Sequence, residues 1–437
     1  MKKQFLRFTS AFAGLAIVVA ACTGGGSSPS APAGSQPAAS QPAGSVAPSD
    51  AAFPTGDFAL TMWTKEGEAD GSLQFVQKLA TDYKALHSNV TIEVVNKDVE
   101  LLRQDFQTTS LAGDAPELLW TVADHIGPFT SADLILPLDD MVDRATFVPA
   151  AADAVSVDGT LWGAPVSFGN QLMLYWNKDV AGDTAPADSA AWVAKAKELT
   201  SGDNFGIVFN QTESFWLVPF LGGFGGSVFA EDGVTPTLNT DAMKKALQFL
   251  YDLKFTDKVT PSEATYDIAD GLFKDGKAGY IINGDWTLGA YDTALGDKLG
   301  VGPLPTMTGG EDPKPYIAGA FIMVSKAVGD DADKKAVVAD FLKFASGKEA
   351  QVEIVEALKR LPGNAEAIAD PVVTGDVLLA GAAEAAQKGV PQPTNLEMRC
   401  VFDAMTPNVV KLLGGDSDVT RIAADMQTSA ETCISQL

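Results

Sequence analysis

Hydrophobic positions change period along this chain, and the changes mark out alternating strands and helices. Residues 58–63, Phe-Ala-Leu-Thr-Met-Trp, carry the two-residue alternation of a strand. Phe75, Val76, Leu79, Tyr83 and Leu86 then recur at steps of three and four, which predicts a helix with one apolar stripe. Residues 91–95 predict a second strand, 101–111 a second helix and 117–120 a third strand. Further strands are expected at 172–176, 206–209 and 278–283, and helices at 240–255, 333–344, 348–358, 396–413 and 418–435. Repeated strand–helix units predict α/β architecture, with mostly parallel sheets flanked by helices. Ligands of such sheets lie beyond the C-terminal strand ends, so the loops after Trp63 and Trp120 are the first places to look. No internal repeat and no membrane-spanning stretch interrupts the pattern.

The first 57 residues follow another rule. Lys2, Lys3 and Arg7 precede a short apolar run from Phe8 to Ala20, the layout of a secretory leader over 1–21 and too short to span a bilayer comfortably. Val19-Ala-Ala-Cys22 resembles the bacterial lipobox, which implies that the Cys22 thiol is diacylated after cleavage. Residues 22–57 are Gly, Ser, Ala, Pro and Gln with almost no charge, a composition that cannot bury a core and predicts a flexible tether. The expected location is therefore the outer face of the cell membrane, with the membrane touched through lipid alone.

Composition narrows the partners. The formal net charge is −25, and loss of the leader's three basic residues makes it more negative. Such a surface repels nucleic acid and anionic lipid. About 380 residues after the tether exceed one hydrophobic core, so two lobes are expected. Two histidines, His87 and His125, make a His-based metal site or a Ser–His–Asp arrangement improbable, and no cofactor is implied. Of three cysteines, lipidation consumes Cys22, and Cys400 and Cys433 are expected to pair in an oxidising space.

Few motifs carry chemistry. Gly271-Leu-Phe-Lys-Asp-Gly-Lys-Ala278 approaches the phosphate-loop spacing but follows a helical stretch and precedes a strand, the reverse of the required context. No Gly-x-Ser-x-Gly, His-Glu-x-x-His or Cys-x-x-Cys is present. Seven tryptophans are more telling. Trp192 and Trp176 are expected in the core. Trp216, beside Phe215, and Trp286, after Asn283-Gly-Asp285, stand in polar, Gly-rich surroundings. Sugars present flat CH faces ringed by hydroxyls, so aromatic planes beside carboxylates and amides suit them.

The chain from about 58 onward resembles the extracellular solute-binding proteins of ABC importers, in the oligosaccharide-binding family that includes maltodextrin-binding proteins. The resemblance is carried by Gly113-Asp-Ala-Pro-Glu117 with Trp120 and Asp124, by Gly163-Ala-Pro165 with Leu174-Tyr-Trp-Asn-Lys-Asp179, by Phe273 to Tyr280 running on to Ile282-Asn-Gly-Asp-Trp286, and by Leu304-Pro305. It implies a two-lobed periplasmic-binding-protein fold with a ligand cleft between lobes. The first lobe is expected over 58–167 and 306–360 and the second over 168–305 and 361–437, with crossings near Ser167-Phe168, Leu304-Pro305 and Leu361-Pro362. It implies ligand contacts from Lys65, Glu66, Glu68, Trp120, Asp124, His125, Asn170, Glu213, Phe215, Trp216, Asp285 and Trp286. Thr121 stands where maltodextrin binders carry a second stacking Trp, and the C-terminal aromatic platform falls near Met398 to Cys400. The implied function is capture of an oligosaccharide by a monomeric receptor that delivers it to permease subunits. Two rival readings are a surface glycosidase using two of Glu66, Glu68, Asp124 and Glu213, and a receptor for a polyamine or metal ion.

Overall fold

A computed structural model describes residues 52–68 and 71–437. The leader, Cys22 and most of the expected tether lie outside the described residues. The last of that tether is pinned instead. Phe53 stacks on His87 at 3.9 Å, and the Asn89 amide donates to the carbonyls of Pro54 (3.0 Å) and Gly56 (2.6 Å). The globular body thus begins at Phe53.

The first lobe is built on a five-stranded sheet. Phe58–Thr64 runs parallel to Val90–Asn96 on one side and to Leu118–Thr121 on the other, with Met62 opposite Leu118. Phe321–Val324 lies antiparallel to Leu118–Thr121, and Ala164–Pro165 closes the edge. Helix Ser72–Leu86 buries Phe75, Val76, Leu79 and Tyr83 against this sheet, whereas Leu86, at the helix end, is exposed. Helix Val99–Ala112 starts two residues earlier than its apolar period suggests. Asp98 caps it, accepting from the amides of Glu100 and Leu101, and Gly113 ends it at φ 82.

The second lobe holds a four-stranded sheet in the order Leu299–Gly302, Leu172–Asn177, Ala278–Gly284, Phe205–Val208, in which only the last pair is parallel. Both sheets are more mixed than the repeated strand–helix pattern predicts, because strands entering from the other lobe run against their neighbours. Alternation along Leu172–Asn177 feeds two cores. Leu172, Leu174 and Trp176 face one, and Met173 and Tyr175 the other. Helices Glu397–Leu413 and Val419–Ile434 close the first of these, and Cys400 is joined to Cys433 across them, Cα atoms 5.6 Å apart.

The lobes are linked where three chain passes hydrogen-bond to one another. Phe168 N donates to Leu361 O (2.8 Å), Val166 N to Ala320 O (3.0 Å) and Ala318 N to Gly169 O (2.8 Å). Gly319 is required there. Its φ is 146, and a Cβ would lie 2.1 Å from the Ser167 carbonyl oxygen. The middle pass differs from the expectation at Leu304-Pro305. Ser189 N donates to Thr306 O, Glu311 N to Gly223 O and Lys314 N to Pro219 O, and Tyr316–Ile317 pairs with Val390–Pro391. Residues 306–317 therefore stay with the second lobe, and the return is made at Ala318 to Ala320.

Candidate functional site

A cleft of about 640 Å³ lies between the lobes, and residues of both line it. Its floor is an ion pair. Glu66, in the loop after Phe58–Thr64, is buried and accepts from both ends of the Arg360 guanidinium at 2.9 Å each. The Trp120 indole N–H donates to Glu66 Oε1 at 3.0 Å, and Lys65 Nζ sits 3.1 Å from the same oxygen. Burial pushes the Glu66 carboxyl up, but Arg360 and then Lys65 outweigh it and hold the group well below the usual carboxylate range. Arg360 follows Lys359, whose φ is 52, at the third crossing, so the hinge itself aims the guanidinium.

The second-lobe wall is aromatic. Trp286 turns out of the end of Ala278–Gly284 and folds back over Gly284, where a Cβ would lie 2.0 Å from its ring. Its indole N–H donates to the Tyr266 hydroxyl (2.8 Å), which fixes the plane, and the ring stays half-buried. Phe215 stands beside it, ring centroids 6.4 Å apart and tilted by 44°. Trp216 also lines the cleft but is nearly enclosed, with its N–H donating to Ile282 O at 2.9 Å. Phe402, from Glu397–Leu413, adds a further aromatic edge close to the expected C-terminal platform.

Carboxylates face these rings. Asp124 follows Leu118–Thr121, and burial, then the neighbouring Glu100, pushes it up to about 6. Glu213, after Phe205–Val208, keeps an exposed edge and accepts from the Asn210 amide at 2.8 Å. Desolvation by the surrounding protein still pushes its carboxyl up. Glu100 and Arg399 bridge the two walls at 2.7 Å.

Of the expected ligand contacts, Lys65, Glu66, Asp124, Asn170, Glu213, Phe215, Trp216 and Trp286 line this cleft. Four others do not. Trp120 is 2 % exposed and serves as a donor to Glu66 from beneath. His125 is fully buried against Thr121, 2.8 Å from its hydroxyl. Glu68 points to solvent at the far end of its loop. Asp285 is buried under the first crossing, where a Cβ on Gly169 would lie within 2.2 Å of its Oδ2, and burial pushes it up to about 6 against the pull of Arg360.

Sequence reasoning missed Glu100, Tyr266, Arg360 and Arg399. Asp98 as a helix cap was the signal for Glu100, since it moves the helix start to the cleft. The expected crossing at Leu361 was the signal for Arg360. Nothing local marks Tyr266, which is placed by helix Tyr266–Lys274 packing under Trp286.

This arrangement can enclose a polyhydroxylated ligand, stacking on one face and accepting hydrogen bonds around the rim.

Comparison with known proteins agrees with the fold. The maltose/maltodextrin-binding domain of Bdellovibrio bacteriovorus, solved bound to maltotriose, superposes with a TM-score of 0.81 at 30% identity over 86% of this chain and all of that one. The maltotriose-binding protein of Thermus thermophilus gives 0.78 at 26% identity, again over 86% of this chain and all of that one. In sequence, the maltotriose-binding protein of Pyrococcus abyssi is 25% identical over 78% of this chain and 75% of its own length. The galactooligosaccharide-binding protein of Bacillus subtilis is 23% identical over 86% of this chain and 89% of its own. Residues 78–381 match the bacterial extracellular solute-binding proteins, and the chain belongs to that family.

Proposed function

We propose that this protein is the receptor of an ABC importer, that it captures an oligosaccharide between its lobes, and that it hands the sugar to permease subunits. The observation that carries the reading is Trp286, held flat by Tyr266 at the cleft wall within a ring of carboxylates. Relatives named for maltotriose and for galactooligosaccharides support a sugar without choosing one. Thr121, fully buried, offers no second stacking plane, so maltodextrins are not singled out. Lys65, Glu66, Asp124, Asn170, Glu213, Phe215, Trp216 and Trp286 are the proposed contacts. Binding favours the closed arrangement because only there do both lobes touch the sugar. Anchoring through Cys22 keeps the receptor at the outer membrane face, as a monomer. A glycosidase gains no support from the relatives, which are binding proteins.

Calorimetry against a panel of linear oligosaccharides tests the reading. Binding of at least one at micromolar affinity, without turnover, is expected. Release of product sugars, or saturation by spermidine with no sugar bound, would overturn it.

A further inference from the structure

Two buried acceptors face one gap at the first crossing. Gly169 has φ 135 and Asn170 φ 59, left-handed backbone that has to be held by its surroundings. A Cβ on Gly169 would lie 2.2 Å from Asp285 Oδ2 and 2.7 Å from Gln171 Oε1, so both oxygens converge on the space that the glycine leaves. Gln171 is fully buried, and its Nε2 donates to Ala382 O at 3.1 Å, which turns Oε1 toward Asp285. Among the described residues this Oε1 has no donor. A buried acceptor without a donor is destabilising, and an ionised carboxylate facing it adds repulsion.

Asp285 also ties the crossing to the cleft wall. Its backbone N–H donates to Gln171 O at 3.1 Å, and its carboxyl accepts from the Asn170 backbone amide. Asn170 and Trp286, the next residue after Asp285, both line the cleft. The chain is thus wrapped around one carboxyl where it presents a polar side chain and an aromatic plane to the same space.

Burial pushes the Asp285 carboxyl up to about 6, and the charges around it are nearly spent. Arg360, from the third crossing, and Lys65 favour its ionised form, while Glu66 opposes it and is itself paired with both. Tyr175, on the neighbouring strand, is kept neutral by burial and donates to Gly284 O at 2.8 Å. Glu384, on the helix that holds the Gln171 amide, is exposed.

We propose that Asp285 is a positioning residue: protonated at Oδ2, it donates to Gln171 Oε1 beside Gly169, and this bond holds the crossing in the shape that presents Asn170 and Trp286 to the ligand. A carboxyl raised to about 6 keeps its proton below that pH and loses it above. Ionisation leaves two acceptors face to face and loosens the crossing, so capture weakens as pH rises. The inference rests on the oligosaccharide reading above and adds to it a residue that does not touch the sugar.

Calorimetry on the whole mature chain with maltotriose and with galactotriose, at about pH 5 and about pH 8, tests it. Affinity of the parent is expected to fall about fivefold between the two, the worth of one hydrogen bond. Asp285→Asn, whose amide donates to Gln171 Oε1 at every pH, should bind tightly at both. Gln171→Met, which removes the acceptor, should bind weakly at both. Asp124 titrates over the same interval in all three proteins, so each variant is read against the parent. A parent-like pH step in Asp285→Asn, or one that survives Gln171→Met, overturns the inference while leaving the oligosaccharide reading intact. Should either variant fold poorly, carbon-13 NMR of the parent decides: the Asp285 carboxyl is expected to titrate near 6, and one already ionised at about pH 5 overturns the bond. Binding of neither sugar, with spermidine bound instead, overturns both readings.

Discussion

A tryptophan's polar edge and its free face distinguish structure from function. Trp192 is fully buried in an apolar core, and Trp120 and Trp216 are enclosed with their N–H groups committed to Glu66 and to Ile282. Trp286 alone among these is half-exposed, with its plane set by a hydroxyl. Cutting a core Trp to Ala costs about 3–5 kcal/mol of stability. Trp286→Ala should instead weaken oligosaccharide binding about tenfold or more while the apo melting temperature falls by a few degrees at most, and sugar should change indole fluorescence in the parent. A large drop in melting temperature with affinity intact would make Trp286 a core residue. Trp286 was legible in the sequence because Asn283-Gly-Asp turns the chain out of a strand. Trp120 was not, because every residue of Leu118–Thr121 is buried and alternation cannot say which face looks toward a ligand. Asp124 offers a second test. A folded-state value raised to about 6 means that the native protein binds its proton more readily than the unfolded chain, so ionisation of Asp124 costs stability as pH rises through that value. Asp124→Asn should therefore gain on the parent by on the order of 1 kcal/mol at pH 7 and lose that advantage by pH 4, below which both forms carry a neutral side chain. His125, held down to about 3 chiefly by burial, pulls the other way on acidification, so the comparison must be made between variant and parent in denaturant melts. An advantage independent of pH would mean that Asp124 titrates normally.

Elements were more legible than their ends, and the site lies at the ends. The apolar period placed helix 99–112 at 101–111, yet the cap at Asp98 is what delivers Glu100 to the cleft. The six expected strands were found within a residue or two, but Ala164–Pro165, Leu299–Gly302 and Phe321–Val324 were not anticipated, and neither was strand direction. Direction depends on which lobe the chain has just left, a fact no local window contains. Leu304-Pro305 was expected as a crossing from the family resemblance, whereas the hydrogen bonds of Thr306, Glu311 and Lys314 keep that stretch on the second lobe. The C-terminal helix pair was legible from both period and cysteines. Its prediction is chemical. An unreduced digest should yield Cys400 and Cys433 in one linked peptide, and Cys433→Ser should cost about 3–4 kcal/mol, less any strain relieved. Two free thiols in the native digest would refute the link.

At the scale of the whole molecule, function depends on two bodies that meet. The anchor is the simpler claim: Cys22→Ala should move the protein from the membrane fraction to the medium, and retention after normal cleavage would refute lipidation. Closure is the deeper one. Helix Val99–Ala112 packs in the first-lobe core and helix Glu397–Leu413 in the second, and Glu100 and Arg399 join them over the cleft. Beside that bridge the lobes approach backbone to backbone. Gly127, in the first lobe, lies so near the second that an added Cβ would stand 2.5 Å from Thr394 O and 2.6 Å from the Asn395 carbonyl carbon. Asn395 cannot yield freely, since its amide is bound to Gly233 O at 2.9 Å. The backbone at Gly127 is helical, so Ala suits it locally and the only conflict is between lobes. Gly127→Ala should therefore leave each lobe folded but wedge the closed form open. Scattering should show the parent contracting when oligosaccharide is added and the variant contracting less. Affinity should fall in proportion to the closed fraction lost. Full contraction and parent-like affinity in Gly127→Ala would show that the lobes do not close through this contact.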